Sequence, residues 1–569
     1  MLERQTDSRS GTGAPTLPAF VPVLVLGLLP WVLLAVSTDW IYSDAGLIDA
    51  WLYHGYFHRL PEFLSTFFSG TYYGTRLAWI VPGYVLYHVL PPHMANITLH
   101  VGFFYASLFA LHRAASILAG PSAALLSAVT YGTWSAVLVA LGWDYVDGAV
   151  ITYSAVAIWA VVESAARPNH RVSLLLIAGG AGACVVHSNL GGLLLTPAFL
   201  IAYWCTHSNR RWRDAGVAVG GVVLTTALLG IASVIAGGPF LFFLPSVKWQ
   251  IANIGTQPFI PVPPLKWPGS VRFILPLAGL GAAAGALSIR RTPATRAVLL
   301  MLLWLTAVFA AHDWLLSAAL LQTQYYVSWF LPLACLGIAV ALGAFTPPAI
   351  VTVLLCLAVI GLQAAALIGF PGYQRLAALA HMRSNMPLLE VLTAGAALLV
   401  IVAASASMRR TWQVIILAGA LVLADFIVVP NLTFKPSSLG ESQFIAVQQT
   451  LTFIDQHVPP TSQSPRFWIG RGRYAPFLTS VASTHLYLYS LIGDRYPRLP
   501  DDTAKVGRSG AIVQPANYVV VAADSAADEA TVRREFQRFN MDAVIEATTE
   551  VRVPRADFVL TLLRITDTK

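Results

Sequence analysis

Charged residues are scarce in this chain, and their scarcity excludes an ordinary soluble protein. Aspartate, glutamate, lysine and arginine make up 11% of the 569 residues, whereas hydrophobic residues make up 56%. Soluble domains carry about 25% charged residues. Apolar runs of about 20 residues recur along the sequence, and each is long enough to cross a bilayer. The composition therefore predicts an α-helical polytopic membrane protein.

Cysteines and nucleotide-binding motifs are scarce or missing as well. The four cysteines all lie in apolar runs, at Cys184, Cys205, Cys335 and Cys356, so neither a disulfide framework nor a zinc ribbon is expected. Neither a P-loop nor a dinucleotide-binding glycine fingerprint occurs. The polar residues 1–18 precede a run that is itself long enough to span, so no cleavable signal is expected. The sequence predicts no nucleotide cofactor.

Basic residues outnumber acidic ones and give a net charge of +8, but they cluster in short loops between apolar runs. This pattern is typical of the cytoplasmic loops of membrane proteins and does not indicate nucleic-acid binding. It places the N-terminus in the cytoplasm, together with the basic loops at 112–113, 167–171, 210–213, 290–296 and 409–410. Alternation of the loops then leaves the C-terminus outside the membrane.

The apolar runs predict about 13 transmembrane helices. Their expected bounds are 18–37, 95–113, 121–141, 149–166, 172–187, 190–206, 215–236, 273–289, 296–312, 325–344, 348–369, 387–406 and 413–430. The run at 77–91 is excluded, because counting it as a span would move the basic loop 210–213 to the outer side. At about 14 residues it suits a helix in the membrane interface, and Pro82 predicts that this helix starts late or kinks.

Two domains follow from this pattern. Residues 1–430 form the transmembrane domain, with two juxtamembrane helices in the outer loop 38–94. Residues 431–569 form a small extracytoplasmic α/β domain. Its predicted elements are a helix at 441–458, a buried strand at 518–522, a helix from Ser525 through Arg538 and a final strand at 558–565.

Two outer loops carry acidic residues next to the spans. Asp44 follows the first span, and Asp144 and Asp147 lie in the loop 143–148 between the third and fourth spans. A carboxylate costs about 2.5 kcal/mol or more at the centre of a membrane helix, so acids kept at the mouths of spans indicate function. If both loops open on the same side, these carboxylates face one another across a cavity.

The order of these parts resembles the membrane glycosyltransferases of the GT-C fold, in particular the lipid A aminoarabinose transferases and the protein O-mannosyltransferases. In that family an acidic residue opens the first outer loop, two juxtamembrane helices follow, and a second outer loop carries an aspartate. The acidic opening here is Asp44, with Ala45 where the family usually has glutamate. The second aspartate is Asp147, with Asp144 as the alternative.

The resemblance also implies residues that bind the donor phosphate. The family's basic residue ahead of the second juxtamembrane helix corresponds to Arg76, and its tyrosine ahead of a late span corresponds to Tyr325 or Tyr326. Where the family often has a lysine, at the turn between the fifth and sixth spans, this chain has His187. His187 and the outer-loop residue Lys248 are further candidates for contacts with the phosphate.

The resemblance implies an enzyme of the bacterial inner membrane that moves a sugar from a polyprenyl-phosphate carrier to an extracytoplasmic lipid or cell-envelope glycan. In an inverting transfer a carboxylate takes the acceptor proton as the hydroxyl attacks the anomeric carbon. Asp44 is predicted as this general base, with Asp49 as the alternative. Arg76 would meet the growing charge of the leaving phosphate, since a guanidinium binds phosphate in two places. Asp147 would orient the acceptor, bind sugar hydroxyls or hold a divalent cation.

Structural interpretations stand beside these functional ones. Asp44 and Asp147 could each cap the helix that follows, His187 could be a packed polar residue, and the tyrosines could form an interfacial aromatic belt. The alternative function is a polytopic transporter or flippase of lipids or sugars. That class tends to carry inverted repeats and charges near the midplane of its spans. The spans here are almost free of charge, which favours the enzyme.

Overall fold

The structure of the protein is a computed structural model. It describes residues 18–42, 48–67, 69–252, 291–316, 320–322, 324–345, 348–367, 440–459, 465–469, 472–481, 518–526 and 541–567, with isolated positions in 280–287 and 530–537. The segment 43–47, which contains Asp44, lies outside the described residues.

The first part of the chain is a bundle of helices joined by short turns. Its helices are α1 Phe20–Val36, α2 Ile48–Glu62, α3 Leu77–Val89, α4 Pro92–Ala119, α5 Pro121–Thr133, α6 Ser135–Gly142, α7 Val146–Ala166, α8 Arg171–Ser188, α9 Thr196–Thr206, α10 Trp212–Ile235, α11 Leu244–Ala252, α12 Pro293–Leu316, α13 Gln324–Ser328, α14 Leu331–Phe345 and α15 Ala349–Leu367. Helix α4 packs against α5 and α7, and α8 packs against α7 and α10. Helices α4 and α7 therefore run through the middle of the bundle.

Six helices in the described part of the chain are long and apolar enough to cross a membrane, and each coincides with a predicted span. They are Pro92–Ala119, Val146–Ala166, Pro168–Ser188, Trp212–Ile235, Pro293–Leu315 and Tyr326–Ala344. The apolar helices at the predicted spans 18–37, 190–206 and 348–369 are shorter. The predicted spans 387–406 and 413–430 and most of 273–289 lie outside the described residues, so the total of about 13 stays a prediction.

The predicted span 121–141 is broken in the structure. Its two parts, Pro121–Thr133 and Ala136–Gly142, meet at 61°. The hydroxyls of Thr130 and Thr133 each donate to the carbonyl four residues back, at 2.8 Å. Such side-chain bonds compete with the backbone ladder and favour bending. The break itself falls at Trp134, whose backbone is extended (φ −63°, ψ 126°) between the two helices.

Both predicted juxtamembrane helices are present, as α2 and α3. Helix α3 has 13 residues and is therefore about 20 Å long, short of the ~30 Å hydrocarbon core. A late start at Pro82 is wrong, since α3 runs from Leu77 past Pro82, and a kink there stays a prediction. Pro82 has no N–H for the carbonyl of Ala78, and the hydroxyl of Tyr153 on α7 donates to that carbonyl instead, at 3.0 Å.

The last part of the chain contains helices α16 Gly440–His457 and α17 Ala475–Ser480 and a four-stranded sheet. The strands are β1 Arg466–Ile469, β2 Tyr518–Ala523, β3 Met541–Val553 and β4 Ala556–Asp567. Their order is β1-β2-β4-β3, with β1 and β2 parallel and the other pairs antiparallel. Helix α16 packs on β3 and β4.

The predicted helix at 441–458 matches α16, and the predicted strands at 518–522 and 558–565 match β2 and β4. The sequence does not predict β1, which is four residues long, or β3, an edge strand whose polar residues interrupt any apolar run. The predicted helix from Ser525 through Arg538 lies mostly outside the described residues.

We expect Tyr153→Phe to lower the free energy of unfolding by about 1 kcal/mol, because it leaves the Ala78 carbonyl without its hydrogen bond. In a Pro82→Ala background the backbone N–H returns, so the same substitution should cost less. Thermal unfolding of the purified single and double variants in detergent measures this coupling. An equal cost in both backgrounds would contradict the assignment of the hydroxyl as the replacement for the missing bond.

Candidate functional site

Two buried side chains of α4 hold both acidic loops at the same end of the bundle. The Asn96 amide donates to the Ile41 carbonyl at 2.9 Å, and His100 Nδ1 donates to the Leu141 carbonyl at 2.5 Å. Neither side chain is exposed. Since both acceptors are main-chain carbonyls, these bonds fix the backbone just ahead of each acidic loop.

The two loops also touch directly. A side chain on Gly142 would place its Cβ 1.5 Å from the carbonyl oxygen of Trp40, so this contact requires glycine. The described backbone therefore enters the segment 43–47 beside the second acidic loop. Asp44, the predicted general base, belongs to that segment and lies outside the described residues.

Asp144 is buried, and its carboxylate has partners. His100 Nε2 lies 3.1 Å from one oxygen, and His54 Nδ1 lies 3.6 Å from the other. The Tyr87 hydroxyl joins this network at 3.2 Å from His54 Nδ1. These contacts give Asp144 a structural role that requires no substrate.

The same network reaches the C-terminal helix α16. The side-chain nitrogen of Gln448 lies 3.0 Å from His54 Nε2. Two further polar contacts fix the ends of α16: Thr38 with Glu441 at 2.6 Å, and Arg59 with Asp455 at 3.7 Å. Helix α16 therefore packs over α2, close to the point where the first acidic loop begins.

Asp147 is as deeply buried as Asp144, but one of its oxygens is open. Trp329 Nε1 donates to Oδ1 at 2.8 Å, whereas Oδ2 has no hydrogen-bond partner among the described residues. Tyr145 is the N-cap of α7, and no side chain caps that helix end, so the capping interpretation of Asp147 is wrong. An unpartnered buried carboxylate oxygen is costly, and in native proteins it signals a catalytic role, a water or an ion.

Arg76 lies at the centre of a tyrosine cluster, defined here as Tyr53, Tyr72 and Tyr145. Its Nη1 donates to the Tyr53 hydroxyl at 2.5 Å. The guanidinium carbon lies 5.1 Å from the ring centroid of Tyr72 and 5.5 Å from those of the other two. Burial raises the pKa of Tyr53 and of Tyr145 well above the usual value, so both hydroxyls stay neutral.

No carboxylate in the described part of the chain lies within ion-pair distance of Arg76. Aromatic faces stabilise a cation without cancelling its charge. Among the described residues, the positive charge of Arg76 therefore has aromatic neighbours and no anionic partner.

The turn Tyr73–Thr75 positions Arg76 ahead of α3. The Arg76 carbonyl accepts two N–H bonds from the first turn of α3, so the helix fixes its backbone. Trp249 stacks on Tyr72 at 5.0 Å between ring centroids. The Tyr73 hydroxyl donates to Asp49 at 3.4 Å, and this contact places the alternative base Asp49 beside the tyrosine cluster.

Tyr145 joins the tyrosine cluster to Asp147. It lies two residues ahead of Asp147, its ring contacts Arg76, and Arg76 and Asp147 are within electrostatic range of each other. Trp329, which donates to Asp147, lies 5.1 Å from Tyr326 between ring centroids. The structure thus brings together three of the predicted residues: Arg76, Asp147 and Tyr326.

The sequence does not predict Tyr53, Tyr145 or Trp329 as members of this site. Tyr145 lies inside the acidic loop 143–148, and that position is the one signal that could have identified it. Tyr53 and Trp329 are indistinguishable in sequence from interfacial or core aromatics, and their partners come from distant parts of the chain.

None of the other candidates has a described contact with Arg76 or Asp147, although Lys248 precedes Trp249, which stacks on Tyr72. His187 Nε2 is 2.9 Å from the Thr226 hydroxyl, and its ring packs on Phe242, which favours the interpretation of a packed polar residue. Lys248 is exposed on α11. The side chain of Tyr325 lies outside the described residues. Phosphate binding by these three residues stays a prediction.

A divalent cation at Asp147 also stays a prediction. Among the described residues, no group of three or more histidine, cysteine, aspartate or glutamate side chains could hold a metal ion. The unpartnered Oδ2 of Asp147 would be available to a cation that takes its other ligands from a substrate.

No protein-family model and no curated protein matches the chain. The chain is similar to the crystal structure of ArnT from Cupriavidus metallidurans bound to undecaprenyl phosphate, with 14% identity and a TM-score of 0.47 over 96% of this chain and 98% of that one. It is also similar to ArnT from the same organism in the apo state, with 14% identity and a TM-score of 0.46 over 95% and 97%. ArnT is a lipid A aminoarabinose transferase of the GT-C fold, the family that the sequence resembles. At these TM-scores the likeness assigns no role to any residue of this chain.

Asp144→Asn and Asp147→Asn form a matched pair with opposite expected effects on stability. Asp144→Asn removes a charge that two buried histidines contact and should lower the free energy of unfolding by about 1–3 kcal/mol. Asp147→Asn keeps an acceptor for Trp329 and removes a buried charge with an open oxygen, so stability should stay the same or rise. Thermal unfolding in detergent distinguishes the two. Equal destabilisation would contradict the assignment of Oδ2 as unpartnered.

Proposed function

We propose that this chain is a membrane glycosyltransferase that moves a sugar from a polyprenyl-phosphate carrier to an extracytoplasmic lipid or cell-envelope glycan. The observation that carries the proposal is a pair of groups. Among the described residues, the Arg76 guanidinium has no carboxylate partner, and Oδ2 of the buried carboxylate Asp147 has no hydrogen-bond partner. The phosphate of the donor would bind to the cation, and a hydroxyl of the sugar or of the acceptor would donate a hydrogen bond to the carboxylate.

Arg76 is proposed to bind the donor phosphate. A phosphate linked to both a sugar and a polyprenyl chain carries a negative charge, which increases as the bond to the sugar breaks. The guanidinium can donate two parallel hydrogen bonds to such a group. The surrounding aromatic rings leave Arg76 only partly exposed, and an ion pair with the phosphate is stronger there than it would be in bulk solvent.

The transfer needs a base for the acceptor hydroxyl. Asp44 is proposed to take the proton as the acceptor oxygen forms a bond to the anomeric carbon. The bond between that carbon and the phosphate oxygen breaks, and the electron pair leaves with the polyprenyl phosphate. Asp147 is proposed to accept hydrogen bonds from the sugar or acceptor through its Oδ2, or to hold a cation there.

The proposed setting is the bacterial inner membrane, with the N-terminus in the cytoplasm and residues 431–569 outside. Two observations support it: the basic loops alternate along the chain with the loops that the sequence places outside, and both acidic loops lie at one end of α4. A donor carried on a membrane lipid would reach Arg76 at that end.

The function is tested by mass spectrometry of cell-envelope lipids and glycans from a strain that lacks this protein. We expect one sugar to be missing from the envelope and the corresponding carrier-linked sugar to accumulate. An unchanged envelope would overturn the proposal. Movement of a lipid or sugar across reconstituted membranes without any covalent product would favour the transporter instead.

Two substitutions of Arg76 should distinguish the effect of its positive charge from that of the planar shape of its guanidinium. In the complemented strain, Arg76→Gln should reduce transfer about 10²–10³-fold, the usual effect of removing one group that stabilises developing charge, and Arg76→Lys should retain more activity. Arg213→Gln, which removes an exposed arginine from α10, is the control for net charge. Normal transfer by Arg76→Gln would remove Arg76 from the donor site.

Asp44→Asn should abolish measurable transfer, because loss of a general base costs about 10²–10⁴-fold. Binding of the donor should persist, since the amide adds no bulk. The measurement is accumulation of carrier-linked sugar together with normal membrane insertion of the variant. Wild-type transfer by Asp44→Asn alongside inactive Asp49→Asn would assign the base to the alternative residue.

A further inference from the structure

A second polar cluster lies at the opposite end of α7 from the acidic loops. Glu163, buried on α7, accepts bonds from Arg113 of α4 at 2.7 and 2.8 Å and pairs with Arg167 at 2.6 Å. The Trp159 indole N–H donates to the same carboxylate at 3.2 Å. Along the helix this cluster lies roughly 24 Å from Asp147, at 1.5 Å of rise per residue.

The cluster has more positive than negative charge. Two guanidinium groups share the single carboxylate of Glu163, so one positive charge is left over. Arg113 contacts Glu163 through Nε and Nη2, and Arg167 through Nε. The remaining N–H donors of both groups have no protein acceptor among the described residues. The arginine side chains are 44% and 54% exposed, so these donors can reach a ligand.

These donors border a cavity of about 660 Å³ between α4, α7 and α8. Its polar end is formed by Arg113, Arg167 and His112, whose Nε2 is buried and has no hydrogen-bond partner in the described part of the chain. Its deeper wall is apolar and includes Phe109 and Leu174. The cavity is therefore amphipathic, with cationic donors at its mouth and hydrocarbon behind them.

We propose that this cavity binds an anionic phospholipid, with the lipid phosphate on Arg113 and Arg167 and the first part of an acyl chain along Phe109 and Leu174. A free phosphate would bind the arginines but would leave the apolar wall exposed to water. A phospholipid matches both the cationic end, through its headgroup, and the apolar wall, through its acyl chain. This site is separate from the proposed transfer site and does not depend on it.

The predicted membrane orientation agrees with this occupant. Arg113 and Arg167 belong to two of the basic loops that the sequence places on the cytoplasmic side. Anionic lipids in that leaflet attract basic residues near the surface. Phe109 is 38% exposed on α4, so the apolar wall is open to the lipid from the side.

The test uses the full-length protein in phosphatidylcholine vesicles that contain a trace of a photoactivatable lipid. Photoactivatable phosphatidylglycerol should label peptides around 106–113 and 156–174 about tenfold more than photoactivatable phosphatidylcholine does, as expected for two basic contacts. Mass spectrometry locates the labelled residues. An excess of unlabelled phosphatidylglycerol should remove the label, and inorganic phosphate should not.

Two variants test the cationic end and the apolar wall of the cavity separately. The triple variant Arg113→Gln, Glu163→Gln and Arg167→Gln removes both signs of charge together, so no buried carboxylate is left unpaired. Ala106→Trp fills the apolar part and keeps the charges. Both should lose the preference for phosphatidylglycerol. Arg211→Gln, which removes an exposed arginine from another basic loop, lowers the net charge by the same amount as the triple variant and should keep the preference.

Equal labelling by the two lipids would overturn the proposal, because it would indicate ordinary contact with surrounding lipid. Competition by inorganic phosphate would also overturn it in favour of a site for a soluble anion. Unchanged labelling in Ala106→Trp would overturn the assignment of the acyl chain to the apolar wall. If the triple variant fails to fold, Ala106→Trp alone tests the proposal.

Discussion

The buried pair Asn96 and His100 is the contact on which the acidic-loop end of the molecule depends. The two residues lie four apart on α4, so both side chains project from the same face. One binds the backbone ahead of the first acidic loop and the other binds the backbone ahead of the second. They also contact each other, with His100 Nε2 3.1 Å from the side-chain oxygen Oδ1 of Asn96. In an apolar bundle such a network is stable only when its members are satisfied, and this one uses main-chain carbonyls that would otherwise be unpaired.

The contrast between Asp144 and Asp147 follows from that arrangement. Asp144 lies where α4 and α2 can reach it, and both supply a histidine. Asp147 lies at the start of α7 and faces α13 and the residues after it, where the indole of Trp329 is its single donor among the described residues. The two carboxylates therefore differ in their surroundings: Asp144 is held by buried histidines, whereas Asp147 has one oxygen without a described partner and lies within electrostatic range of Arg76. Two carboxylates in such different environments usually have different chemical roles.

The sequence predicts what depends on local composition. The membrane spans follow from apolar length, because a chain in lipid must satisfy its backbone within each helix, and Asp147 is noticed because acids are rare beside spans. Arg76 is found through the resemblance and through its place ahead of α3. The partners of these residues are not predicted, because aromatic residues are common throughout the chain and nothing local distinguishes Tyr53 or Trp329. The Ala78 carbonyl that Pro82 leaves without an N–H partner is likewise bonded by a hydroxyl from a different helix, that of Tyr153.

Helix α2 connects the C-terminal part of the chain to the proposed donor site. Tyr53 and His54 are consecutive on α2 and point about 100° apart, so Tyr53 contacts Arg76 while His54 contacts Asp144 and Gln448 of α16. Because both side chains are fully buried, neither can shift without the helix that carries it. Docking of α16 on His54 therefore also sets the position of the hydroxyl that holds Arg76. The C-terminal region is in this way part of the framework of the site, although none of its described residues contacts the Arg76 guanidinium.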